Sequence, residues 1–150
     1  MSYFTAVLAR TGRAWTVHDL DLDSESDLKE LATDLRDLTE SDEPVLLLIE
    51  REDAWWAVVR VDGEEDPRVF VSDIAGAAAS PYAEVLDVGI EEDDGEVAPG
   101  TCGGDLDLLA DLGTSTEALQ EMCDDPPLPM DALAAVAEAA GFGEILDSLR

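Results

Sequence analysis

Positive charge is scarce in this chain and missing from most of its second half. Eight Lys and Arg residues stand against 37 Asp and Glu in 150 residues, a formal net charge of −29. Lys29 and the arginines at 10, 13, 36, 51, 60 and 68 lie in the first half; from 69 to 149 there is no cation, and Arg150 ends the sequence. Affinity for phosphate backbones and for anionic lipid comes from Lys and Arg. Direct binding to nucleic acid or to a membrane surface is therefore not the expected function. An anionic surface suits a basic partner instead: a cation, a basic protein, or a protein that itself binds nucleic acid.

The groups that carry most side-chain chemistry are equally sparse. His18 is the single histidine, and one imidazole on the polar face of a strand gives a serine or cysteine nucleophile weak support. A structural or solvated His18 is the preferred reading. Cys102 and Cys123 are too few for a disulfide framework or a zinc site and are expected as free thiols in a cytoplasmic protein. The start, MSYFTAVLAR, lacks the basic and long apolar regions of a signal peptide, and no run approaches the length that spans a bilayer. Gly100-Thr101-Cys102-Gly103-Gly104 lacks the lysine and preceding strand of a phosphate loop. No catalytic residue and no cofactor is expected. With 37 acids, carboxylate pairs occur at almost any spacing and carry no information about glycosidase chemistry.

Apolar residues, by contrast, are in normal supply at 46%. Disordered chains combine high net charge with too little apolar surface to offset ordering entropy; this chain has the surface and should fold. Tyr3 to Ala9 reads as a buried strand, and Arg13 to Asp19 as a second after a turn at Thr11-Gly12. Leu28, Leu31, Ala32, Leu35 and Leu38 fall at helical spacing. Val45-Leu46-Leu47-Leu48-Ile49 is a strand covered on both sides, followed by a hairpin loop Glu50-Arg51-Glu52-Asp53, a strand from Ala54 to Val61, an acidic turn 62–67, and a strand from Arg68 to Ser72. Asp73 to Ala79 is Ala-rich and helical. The order β-β-α-β-β-β-α predicts an α+β fold with an antiparallel sheet of about five strands.

Three regions follow: a sheet domain over 1–88, an acidic flexible linker over 89–104, and a helical region over 105–150 that packs on the sheet or on itself. Leu106, Leu109 and Leu112 make a short helix stopped by Gly113. Thr114-Ser115-Thr116-Glu117 matches a capping box for the next helix. Pro129 can open a third, stopped by Gly141, and Phe142, Ile145, Leu146 and Leu149 give a last amphipathic piece.

Two features compete with plainer readings. Asp19, Asp21, Asp23, Asp27 and Glu30 occupy positions 1, 3, 5, 9 and 12 of a calcium-loop pattern. The sharp-turn glycine of that loop is Ser24 here, and a strand precedes it. The plainer reading is a strand end meeting a helix N-terminus, where acids favour the positive dipole end. Trp55 and Trp56 point to opposite faces of one strand; either both faces are covered, or one indole anchors a partner. The acidic loops, with Asp62, Glu64, Glu65, Asp66, Glu91, Glu92, Asp93, Asp94 and Glu96, are the candidate partner interface, against the plainer reading of solvated charge.

The segments MSYFTAVLAR, PVLLLIE, WWAVVRVDGEEDPRVFVSD, GDLDLLADLGT and ALAAVAEAAGF resemble the tRNA adenosine deaminase-associated proteins of actinobacteria. VRVDGEEDPRVFVSD is the most specific stretch. The resemblance implies a link to the zinc enzyme that makes wobble inosine, and supplies no catalytic residues. The chain itself lacks the H-x-E and P-C-x-x-C elements of that enzyme. The expected function is that of an acidic accessory protein binding a basic RNA-handling partner, with the deaminase as the candidate the resemblance supplies. The alternatives are a small-ligand or metal-binding module, and a scaffold whose acidity serves solubility alone.

Overall fold

A strand with no polar side needs cover on both faces, and Val45-Leu46-Leu47-Leu48-Ile49 has it: all five residues are buried. The computed structural model describes residues 3–12, 14–18, 27–38, 43–51, 54–63, 67–78, 82, 86, 102–125 and 127–149. The strands are β1 (Tyr3–Thr11), β2 (Ala14–His18), β3 (Pro44–Arg51), β4 (Trp55–Asp62), β5 (Arg68–Val71) and β6 (Gly103–Gly104). They form one six-stranded sheet in the order β2-β1-β3-β4-β5-β6, with every neighbouring pair antiparallel. The helices are α1 (Leu28–Asp37), α2 (Ile74–Ala78), α3 (Thr116–Asp124), α4 (Pro129–Ala140) and α5 (Gly143–Leu149). The class is α+β, with the expected element order through α2.

The sheet has one strand more than the sequence predicts. β6 pairs with β5 at Phe70↔Gly104 and Val71↔Gly103. Two residues without side chains carry no alternation to read, and they fall at the end of the 89–104 stretch assigned to a linker. Residues 89–101 lie outside the described residues. Gly104 has φ +99°, and a Cβ there would run into the Val69 carbonyl oxygen. β3 also runs longer than predicted. Glu50 and Arg51 belong to the strand, opposite Trp56 and Trp55, and not to a hairpin loop.

Successive side chains of a strand point to opposite faces, and the two cores follow that parity. Ala6, Leu8, Leu46, Leu48, Trp56, Val58 and Phe70 lie under the C-terminal helices, joined by Leu109, Leu119, Leu133, Val136, Phe142 and Leu146. Val7, Ala9, Val45, Leu47, Ile49, Trp55, Ala57 and Val59 face α1 through Leu31, Ala32 and Leu35. Trp55 and Trp56 are 1% and 3% exposed, so both faces are covered and neither indole is a surface anchor. Each fully buried leucine contributes roughly 1.5–3 kcal/mol. Helices this short are held by such packing and not by propensity.

The local signals place the helix ends. Gly113 and Gly141 adopt the left-handed conformation that stops a helix, at φ 103° and 100°. Pro129 sits in the first turn of α4. The stretch before Gly113 is a run of turns ending in a 3-10 helix, Ala110–Leu112, and not an α-helix. The cap of α3 also differs from expectation. Ser115 is the N-cap, its hydroxyl accepting from the Ala118 N–H at 3.1 Å. That places Ala118, not Glu117, third in the helix, while Thr114 is buried.

The cysteines are not free thiols. Cys102, beside β6, and Cys123, in the last turn of α3, form a disulfide with Cα atoms 5.9 Å apart. Their separation of 21 residues follows no motif, and the pairing exists only because the sheet edge and α3 meet.

Candidate functional site

Arg60 is a charge inside an otherwise apolar strand, and burying a guanidinium is costly unless it is paired and hydrogen-bonded. The residue is 4% exposed. Its Nε donates to both Asp62 carboxylate oxygens at 2.9 and 3.0 Å. Nη1 and Nη2 donate to Asp111 Oδ1 and Oδ2 at 2.6 and 2.8 Å, and Nη1 also reaches the Leu108 carbonyl at 2.6 Å. The bond to Asp111 raises the Arg60 pKa against the opposing effect of burial. In return Arg60 holds the Asp111 carboxyl below its ordinary value. Arg68 Nε donates to Asp105 Oδ2 at 2.6 Å and lowers the Asp105 pKa in the same way. Two cations of the first half, Arg60 buried and Arg68 partly exposed, are thus engaged by carboxylates of the second.

What the C-terminal helices expose is anionic. Glu117, Glu121, Asp124, Asp125, Asp131, Glu138, Glu144 and Asp147 are all exposed on α3, α4 and α5 or at their ends. No cation occurs in the sequence between 69 and 149 to interrupt them. None of the three helices has a basic residue in its last turn, where a cation would complement the dipole. The three helices therefore carry negative charge with no cation of their own among their described residues; Arg10 of β1 lies beside the end of α4, in a pocket it shares with Asp111, Ala139 and Ala140.

Part of this charge converges on a groove of about 600 Å³ between the end of α4, α5 and the edge strand β2. Its lining includes Ala14, Trp15, Ala134 and Ile145, together with Glu138, Glu144 and Asp147. The floor is fixed from within. Trp15 Nε1 donates to the Ala140 carbonyl at 3.1 Å, and its ring meets Phe142 edge-on, with centroids 4.9 Å apart. A smaller pocket of about 310 Å³ lies over the disulfide, lined by Cys102, Cys123, Leu106, Gln120 and Asp124.

The residues singled out in the sequence divide sharply. Asp27 is the N-cap of α1, its carboxylate accepting from the Glu30 N–H at 2.8 Å; the calcium candidates Asp19, Asp21 and Asp23 lie outside the described residues. Among the described residues no group of three or more His, Cys, Asp or Glu could hold a metal. Asp62 is bound to Arg60. Glu64, Glu65, Asp66, Glu91, Glu92, Asp93, Asp94 and Glu96 lie outside the described residues. His18 Nε2 sits 3.0 Å from Thr16 Oγ1 on β2. The Arg60 clamp and the acidic groove were not singled out from sequence. The clamp had a signal, an arginine in the run Trp55 to Val61; the groove, assembled from three elements, had none.

No helix among the described residues is long and apolar enough to cross a membrane. A family model described as Rv3753c-like tRNA adenosine deaminase-associated protein matches residues 3–143. No curated protein and no solved structure matches the chain.

Proposed function

Because this chain belongs to the family of Rv3753c-like tRNA adenosine deaminase-associated proteins, we propose that it is a non-catalytic, acidic accessory protein that binds the deaminase itself. The family description speaks of association and not of deamination. The observation that carries the reading is the outer face of α3, α4 and α5, which exposes carboxylates without an intervening cation. An enzyme that grips tRNA needs a cationic surface. A folded anionic protein fits such a surface, and the encounter is steered over a distance set by salt. Bound there, it competes with tRNA or holds the enzyme in store. The reading places the protein in the cytoplasm with the enzyme.

The test is a titration of this protein against the purified deaminase of the same organism, at low and at high salt, with tRNA as competitor. A complex that weakens steeply with salt and is displaced by tRNA is the expected result. No complex at low salt would reduce the association to something other than physical contact. A complex indifferent to salt would remove the electrostatic basis.

A further inference from the structure

We propose that the groove between α4, α5 and β2 is the seat of the partner's key contact, taking a lysine or arginine side chain from a basic segment of that protein. The inference rests on the reading of the chain as an acidic binding protein, and goes beyond it by choosing one place on a surface that is acidic nearly everywhere. Three carboxylates from two helices, Glu138, Glu144 and Asp147, line this one concavity. Glu144 and Asp147 are three apart on α5 and so share a face. Gly143 draws the two helices together here. A Cβ at that position would stand 3.3 Å from the Glu138 Cα, closer than side chains ordinarily pack, so α5 can start against α4 at that distance.

The rest of the lining is apolar, with Trp15, Ile145 and Ala134. That combination matches a side chain with an aliphatic stem and a charged head, which buries the stem and leaves the head among oxygens. An indole also attracts a cation placed over its face. The floor does not have to form on binding, because Trp15 is already held by Ala140 and Phe142. No lining residue of the groove is cationic. A phosphate or a nucleic-acid backbone is excluded as occupant by the same carboxylates.

The experiment compares two triple variants with the same change in net charge. Glu138→Gln/Glu144→Gln/Asp147→Asn empties the groove of charge; Glu117→Gln/Glu121→Gln/Asp131→Asn removes as much from elsewhere on the helical layer. Circular dichroism and thermal melts first establish that both fold. Affinity for the deaminase at low salt should fall about tenfold or more for the groove variant, the fold-change of roughly 1.4 kcal/mol, and about twofold for the other. Equal losses would overturn the groove while leaving the accessory role standing. A wild-type protein that does not bind the deaminase would overturn both.

Discussion

Arg60 and Asp111 lie 51 residues apart and meet through two parallel hydrogen bonds, 2.6 and 2.8 Å long. The arginine is buried in β4, whereas the aspartate side chain is 63% exposed. The pair is where the sheet and the C-terminal layer are joined by charge as well as by apolar contact. Its two ends should not be equivalent.

Arg60→Leu leaves the Leu108 carbonyl and the Asp62 carboxylate, 19% exposed, without their donor. Leaving such largely buried acceptors unsatisfied costs about 1–3 kcal/mol each. Asp111→Asn leaves Arg60 bound to Asp62 and Leu108, and loses only a screened partner, about 1 kcal/mol or less. Urea unfolding of the two variants measures the asymmetry. Equal losses would mean that Arg60 is not held as described.

Acid should weaken the same junction. Asp105 and Asp111 have lowered native pKa values, caused first by their hydrogen bonds from Arg68 and Arg60. In the unfolded chain both titrate near the ordinary aspartate value, about 3.9. Their stabilisation is complete above that value and disappears as pH falls through the lowered native values. The gap in unfolding free energy between wild type and Asp105→Asn/Asp111→Asn should be flat from neutral pH to about 5 and close below about 4. A gap that widened toward acid would contradict the assigned direction.

The disulfide makes a separate claim on stability. Cys102 and Cys123 are 21 residues apart, and closing a loop of that size restricts the unfolded chain by about 3 kcal/mol. Reductant, or Cys123→Ser, should lower the melting temperature accordingly. A thiol reagent should find no reactive group in the oxidised protein and two after reduction. Two reactive thiols in the folded, air-oxidised protein would show that the bridge is not made.

Glycine substitutions should separate β6 from an ordinary turn. Gly104→Ala meets both the conformational penalty, about 1–2 kcal/mol, and overlap with the Val69 carbonyl, about 1–3 kcal/mol more. Gly12 also has positive φ, +66°, but a Cβ there meets nothing within 4 Å, so Gly12→Ala carries the first penalty alone. Thermal melts of the two variants should rank them in that order. If Gly12→Ala proved the worse, the close approach of β6 to β5 would be in doubt.

The parts of this fold that were legible in the sequence are those where side chains repeat. Alternation along β2 and the leucine spacing of α1 each state a period, the apolar runs of β1 and β3 state burial on both faces, and the order of elements followed. The unread parts lack a period. Gly103 and Gly104 have no side chain to alternate. Cys102 and Cys123 are two isolated residues whose meeting depends on packing. Ser115 and Thr114 are chemically similar neighbours, so a capping box could slip by one. The groove suffered from the opposite difficulty: acids are so common here that Glu138, Glu144 and Asp147 stand out only when the helices have placed them around one space.

Trp55 and Trp56 are neighbours in β4 that face away from each other. Trp56 shares the helical side with Trp15 and stands 5.1 Å from the Phe70 ring. Trp55 lies on the α1 side, close against Gly76 of α2. One peptide bond thus separates two optical channels, each tuned to a different layer of the molecule. The emission of Trp15, which lines the groove, would register an event there directly, and that of Trp56 only through the core the two share. Trp55 would change only when the disturbance crosses the sheet. Retaining one indole at a time would turn β4 into a built-in gauge of how far a binding event travels.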